Sequence, residues 1–239
     1  MTTNDDNLDF LSAVMAHTKE AAGLPPGWGD VHVPLSPEEE LEDAPRPPRL
    51  RTGMTTAELL PYGDRVTTPD GRELRLERLT CPPIQAPGHG IDVCDPASLE
   101  WQGQPISVEL RGTAQPVEVA VLRHATPRGD LIQPVMAVVG TFSKNTLWVE
   151  FPVAGIRLSI DAGCGAFIAR GQVAAVAERI ETLLPSVRDA GLLAVEVDSA
   201  VVGALFESGD GPGGYEVMLG RGQGGRPTAL LVDLRVLPR

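Results

Sequence analysis

Between Ile106 and Ile160 the chain repeats one device: a short run rich in Val, Ile and Leu, then a break of Gly, Pro, Asn or Lys. The runs cover 106–110, 117–123, 135–142, 147–151 and 157–160, at intervals of roughly ten residues, the rhythm of strands joined by tight turns. Elements of the same kind flank them. Residues 64–79 read as a β-hairpin turning at Thr68-Pro-Asp-Gly71, and 91–94 as a short strand closed by Pro96, with 80–90 between them as a Pro/Gly loop. Alternating apolar residues from Gly155 lead to Asp161, followed by a turn at Gly163-Cys164-Gly165, and the Gly-rich tail 206–237 is predicted to pair near this stretch. Residues 192–197 and 200–206 are β-biased, and 215–219 with 228–236 bracket a glycine loop as a closing hairpin. Strict alternation there puts Leu230, Val232, Leu234 and Val236 on the core side and points Asp233 away from it.

Helical signals are few. Thr55 to Leu60 suits one turn, and 172–184 sets Val173, Val176, Ala177, Ile180 and Leu184 on one stripe, closed by Pro185. Residues 6–22 place Leu8, Leu11, Val14 and Met15 at helical spacing behind Asn4, Asp5 and Asp6. The expected fold is therefore α+β, mainly antiparallel β, with one packed helix over 172–184 and an N-terminal helix. The expected organisation is an amphipathic helix over 1–23, an acidic Pro-rich linker over 24–52 and a β-rich domain over 53–239.

Charge is concentrated at the start. The net charge is −12, and the first fifty residues hold ten Asp and Glu against Lys19, Arg46 and Arg49, a balance of −7. Without a Lys/Arg-rich run such a chain repels phosphate backbones and anionic lipid, so nucleic acid and membrane are not expected partners, whereas a basic protein is. The acidic cluster Glu38, Glu39, Glu40, Glu42 and Asp43 is the expected contact, and Pro45-Arg-Pro-Pro-Arg49 is a weak polyproline motif beside it. With three Trp, two Tyr and five Phe, the core must be aliphatic and stacking platforms for single strands are scarce. Cys81, Cys94 and Cys164 match no CxxC spacing, and a sparse, odd count suits a reducing cytosol. No secretory leader and no apolar run of bilayer length is read, so the expected location is cytoplasmic.

Three constellations invite chemical readings. Cys164, between glycines and three residues after Asp161, is the best nucleophile on paper, with His124 or His89 as the imidazole such a thiol needs. An Asp161/Asp210 carboxylate pair is the other hydrolytic candidate. Asp92, Asp95, Asp161 and Asp210 carry oxygen ligands of the kind a divalent cation takes, but not at calcium-loop spacing, and no metal or cofactor is expected. The loops 209–214 and 220–225 are rich in glycine, yet strands follow both, whereas a phosphate loop leads into a helix, so turn chemistry is the preferred reading.

Asp92-Val-Cys-Asp-Pro96, Ile160-Asp-Ala-Gly-Cys-Gly-Ala-Phe167, Phe206-Glu-Ser-Gly-Asp-Gly-Pro-Gly-Gly-Tyr215 and Leu231-Val-Asp-Leu234 form an ordered series. Over about residues 60–237 the series resembles the bacterial family catalogued as domain of unknown function 4241. That family shows a DP step, a V-D-A-G turn before an aromatic, an S-G-x-G-D-G-x-Y loop and a closing strand ending in phenylalanine where this chain has Leu234. The resemblance marks Asp95, Asp161, Gly163, Ser208, Gly209, Tyr215 and Asp233 as motif positions and implies a diverged member. Small acidic families of this kind often accompany toxins as immunity partners. The expected function is a non-enzymatic protein-binding module, of immunity or partner-neutralising type; the alternatives are a hydrolase using Cys164 or Asp161/Asp210, and a structural or assembly subunit.

Overall fold

The alternation of apolar and polar residues continues well beyond the central runs, and the chain folds as two antiparallel sheets stacked face to face. The structure is a computed structural model, and it describes residues 53–68, 71–99, 105–126, 129–150, 157–209, 211–222, 225–234 and 236. The expected N-terminal helix, the linker, the acidic cluster 38–43 and Asp210 lie outside the described residues.

Strands are numbered in chain order. The larger sheet runs β1 (Arg65–Thr67), β2 (Glu73–Gln85), β5 (Ala114–Thr126), β6 (Gly129–Gly140), β13 (Pro227–Asp233), β12 (Gly213–Arg221). Its far edge is shared by β7 (Leu147–Glu150) and β8 (Arg157–Ile160), which pair successive parts of β12. The smaller sheet runs β10 (Leu192–Val197), β11 (Ala200–Glu207), β9 (Cys164–Ala169), β3 (Gly90–Cys94), β4 (Ile106–Glu109). The predicted proximity of the 155–167 stretch to the tail holds: β8 lies along β12 and β9 along β11.

Alternation sorts the side chains into three apolar layers. Val117, Val119 and Val121 of β5, with Leu230 and Val232 of β13 and Leu234 just after it, meet Ile91, Val93, Phe167 and Phe206 of the smaller sheet between the sheets. Phe167 and Phe206 stack with ring centroids 4.9 Å apart, and Gly165 has no room for a Cβ because the Phe206 ring lies over it. The outer face of the larger sheet buries Leu76, Leu122, Trp148, Met218 and Leu231 under the short helix α1 (Thr56–Leu59). Helix α1 starts where the Thr55 N–H donates to Glu58 Oε2 at 2.7 Å, and Trp148 Nε1 pins it by donating to Thr56 Oγ1 at 2.9 Å. The outer face of the smaller sheet buries Cys94, Cys164, Ile168 and Leu205 under α2 (Val173–Ala177) and α3 (Ile180–Ala190).

Four expectations change in detail. The 80–90 loop is mostly strand, because β2 passes through Pro82 and Pro83 by slipping register between Cys81 and Ile84, which takes both imino nitrogens out of the ladder. The turn before Phe167 is 161–163; Cys164 and Gly165 already belong to β9, a central strand of small and apolar residues. The packed helix over 172–184 is two helices, broken at Glu178–Arg179, and Pro185 lies inside α3 instead of ending it. That helix ends at Gly191, whose φ of 74° supplies the left-handed cap, with its N–H donating to Val187 O at 2.7 Å. Finally, Val236 leaves the alternation and packs on the outer face, and Asp233, though on that face as predicted, is buried there.

Candidate functional site

The motif positions come together at the end of the sandwich where β3, β8 and β11 stop and β12 begins. The centre is Asp95, a fully buried carboxylate. Its Oδ2 accepts from the Asp161 N–H at 2.8 Å and the Ala162 N–H at 2.9 Å, and from the Ser98 hydroxyl at 3.3 Å. Its Oδ1 accepts from the Ala97 N–H at 2.9 Å. A buried charge is tolerated only when donors surround it, and here three amides and a hydroxyl do so. The consequence is mechanical: Asp95 fixes the 161–163 turn to the end of β3.

That turn in turn holds the loop after β11. Gly163, at φ 77°, offers its carbonyl to the Ser208 N–H at 3.0 Å. Gly209, at φ 64°, packs so closely on the Pro134 carbonyl that an added Cβ would run into it. The buried Tyr215 closes the loop by donating its hydroxyl to Gly211 O. Of the motif positions, Asp95, Asp161, Gly163, Ser208, Gly209 and Tyr215 are thus one connected unit. Asp233 stands opposite Glu216 and Met136 in the larger sheet.

Between the 161–163 turn, the 207–212 loop and α3 lies a cleft of about 500 Å³. Asp161, Glu207 and Ser208 line it, and α3 contributes Leu184 and Arg188. Burial pushes the Glu207 carboxyl above its ordinary value of 4.5, and the nearby Arg188 opposes the shift without forming an ion pair with it. Ser208 is 1% exposed, held by the hydrogen bond from its N–H to the Gly163 carbonyl. Glu207 and Arg188 escaped the sequence reading for different reasons. Glu207 sits inside a quoted motif but looks like an ordinary strand-end acid, and Arg188 follows a proline taken as a helix stop.

The thiol and imidazole candidates are placed elsewhere. Cys164 is 1% exposed under α2 and α3, and burial, with the charge of Asp95 next in weight, pushes its thiol up to about 12. Cys94, in the same layer, is likewise raised to about 12, and half-buried Cys81 to about 11. His124 continues the outward-facing series Ala120 and Leu122 on the larger sheet, its Nε2 2.9 Å from Gln133 Oε1. The whole inter-sheet core therefore separates it from Cys164. His89 lies in the β2–β3 turn with Nδ1 2.9 Å from Gly112 O.

The aspartates are also spoken for. Asp92 accepts from Ser107 Oγ at 2.6 Å and lies 3.8 Å from Arg170 Nε, while Asp95 is committed to backbone amides. No group of three metal-ligating side chains occurs among the described residues, and no described helix is long and apolar enough to cross a membrane. No protein-family model, curated protein or solved structure matches the chain.

Proposed function

We propose that this chain is a non-enzymatic binding protein for a basic partner protein, and that the Asp161–Glu207–Ser208 cleft receives a cationic side chain of that partner. The observation that carries the reading is the placement of two carboxylates, Asp161 and the half-buried, upshifted Glu207, in one cleft whose wall is fixed by Asp95. A lysine ammonium brings three donors and a full charge, enough to engage both carboxylates at once. Among the described residues that line it, two acids stand against Arg188, a balance of one negative charge. Preorganised walls favour such recognition because little ordering is paid on binding.

The acidic segment with Glu38 to Asp43 adds long-range attraction, which acts on encounter rate and partner choice more than on final affinity. Membership of the domain-of-unknown-function 4241 family, and the immunity-type role it suggests, belong to the same proposal; four of its motif positions, Asp161, Gly163, Ser208 and Gly209, line the cleft, which supports both. A Cys164 hydrolase is disfavoured by a thiol that stays protonated and by the distance to His124.

The test is affinity capture from the protein's own cells with three baits: the full chain, a chain starting at Gly53, and the full chain carrying Asp161→Asn and Glu207→Gln. The expected result is one stoichiometric basic protein on the wild-type bait, reduced on the second and absent from the third. Equal capture by the double variant overturns the assignment of the cleft, and capture of acidic proteins only overturns the partner class.

A further inference from the structure

A second cleft opens at the opposite end of the strands. Strand β12 begins at Gly213 beside the first cleft and ends at Arg221, where Leu219 and the turn before β13 approach the β4 edge of the smaller sheet. The cleft measures about 760 Å³, within the range of small-molecule sites. Its floor is apolar, built by buried Val108, Leu110 and Leu219. Arg111, on the turn from β4 to β5, and Arg226, on the turn from β12 to β13, line it.

Neither arginine has an ion-pair partner among the described residues, although acids outnumber bases by twelve in the chain. The acid that shares the cleft, Glu109, lies 3.4 Å from Arg170 Nη1. The backbone of Arg111 is also held in place. The Leu110 N–H donates to His89 O at 2.8 Å, and Gln115 Nε2 donates to Arg111 O at 3.0 Å and Gly112 O at 2.6 Å. This clamp has a cost, because fully buried Gln115 is left with an Oε1 that no hydrogen bond satisfies. An orphaned buried acceptor costs about 1–3 kcal/mol. A fold that tolerates it to keep one turn in position has sacrificed stability where placement of Arg111 matters.

We propose that this cleft binds a small carboxylic acid with an apolar body. Its carboxylate bridges the guanidinium groups of Arg111 and Arg226, which match carboxylate oxygens in a planar fork. Its apolar part covers Val108, Leu110 and Leu219. This site is independent of the basic-partner reading and uses none of its residues.

Calorimetric titration of decanoate into the full-length protein at neutral pH and low salt tests it. The expected result is saturable one-site binding, weakened about tenfold or more by Arg111→Gln or Arg226→Gln. Arg188→Gln, in the other cleft, leaves it unchanged. Both substituted arginines are exposed and their side chains make no hydrogen bond, so the variants keep the wild-type circular dichroism. Absence of saturable decanoate binding, equally tight binding of decan-1-ol, or indifference to both substitutions overturns the proposal. Competition by inorganic phosphate at least as strong as that by decanoate overturns the carboxylic-acid class.

Discussion

Replacing Asp95 by alanine removes the acceptor for three backbone amides and one hydroxyl inside a site with no solvent exposure. Each amide left unmet costs about 1–3 kcal/mol, and the gain from no longer burying a charge offsets part of the sum. The net expectation is about 3–5 kcal/mol, the range for breaking a buried charged network by deleting one partner. Asparagine keeps one acceptor oxygen, so Asp95→Asn is expected to cost roughly half as much, about 2 kcal/mol. Urea unfolding followed by far-ultraviolet circular dichroism measures both, with unchanged slopes as the check that only stability moved. Hydrogen exchange locates the damage: Asp161 and Ala162 amides lose protection first, since they bond directly to Oδ2. A loss below about 1 kcal/mol for alanine, or retained protection at 161 and 162, refutes the role given to Asp95 as the anchor of the cleft.

Other consequences follow from the same geometry. Gly209→Ala strains a left-handed φ and drives a methyl into the Pro134 carbonyl, for an expected loss of roughly 2–4 kcal/mol by the same unfolding assay. The three cysteines are expected to react slowly with an aromatic disulfide reagent at neutral pH and rapidly after unfolding, since burial keeps Cys164 and Cys94 protonated up to about 12. Fast native labelling of Cys164 would revive the hydrolase reading. Because the Glu207 carboxyl titrates above its unfolded value of 4.5, its contribution to stability is full below that pH and is lost as pH rises through the folded value. Glu207→Gln is therefore expected to match the wild type in acid and to equal or exceed its stability at neutral pH, as thermal unfolding across pH would read.

The architecture was legible wherever one face of a strand is buried and the other wet. The hairpins 64–79 and 215–236 announced themselves by alternation and by turn residues at Gly71 and between Gly220 and Pro227. Strand β9 was hidden because both its faces are buried: Cys164, Ala166 and Ile168 face the helices while Phe167 and Ala169 face the other sheet, so no polar residue marks a period. Prolines misled twice. Pro82 and Pro83 sit in a register slip that local rules do not foresee, and Pro185 is accommodated inside α3. The site was half legible, since the Asp95–Asp161–Ser208 series stood in the sequence in order. What joined it to Glu207 and Arg188 was tertiary placement: α3 packs across the smaller sheet and delivers Arg188 to a loop some twenty residues away in sequence.

The measurement that bears most directly on the basic-partner cleft is the affinity of the captured basic protein for three versions of the full chain: wild type, Glu207→Gln and Arg188→Gln. The two substitutions alter charge of opposite sign in one cleft, so their effects on a cationic guest must oppose each other. The account predicts that Glu207→Gln weakens binding about tenfold or more while Arg188→Gln tightens it severalfold. Equal affinities for all three, or weakening by Arg188→Gln with Glu207→Gln neutral, would contradict it.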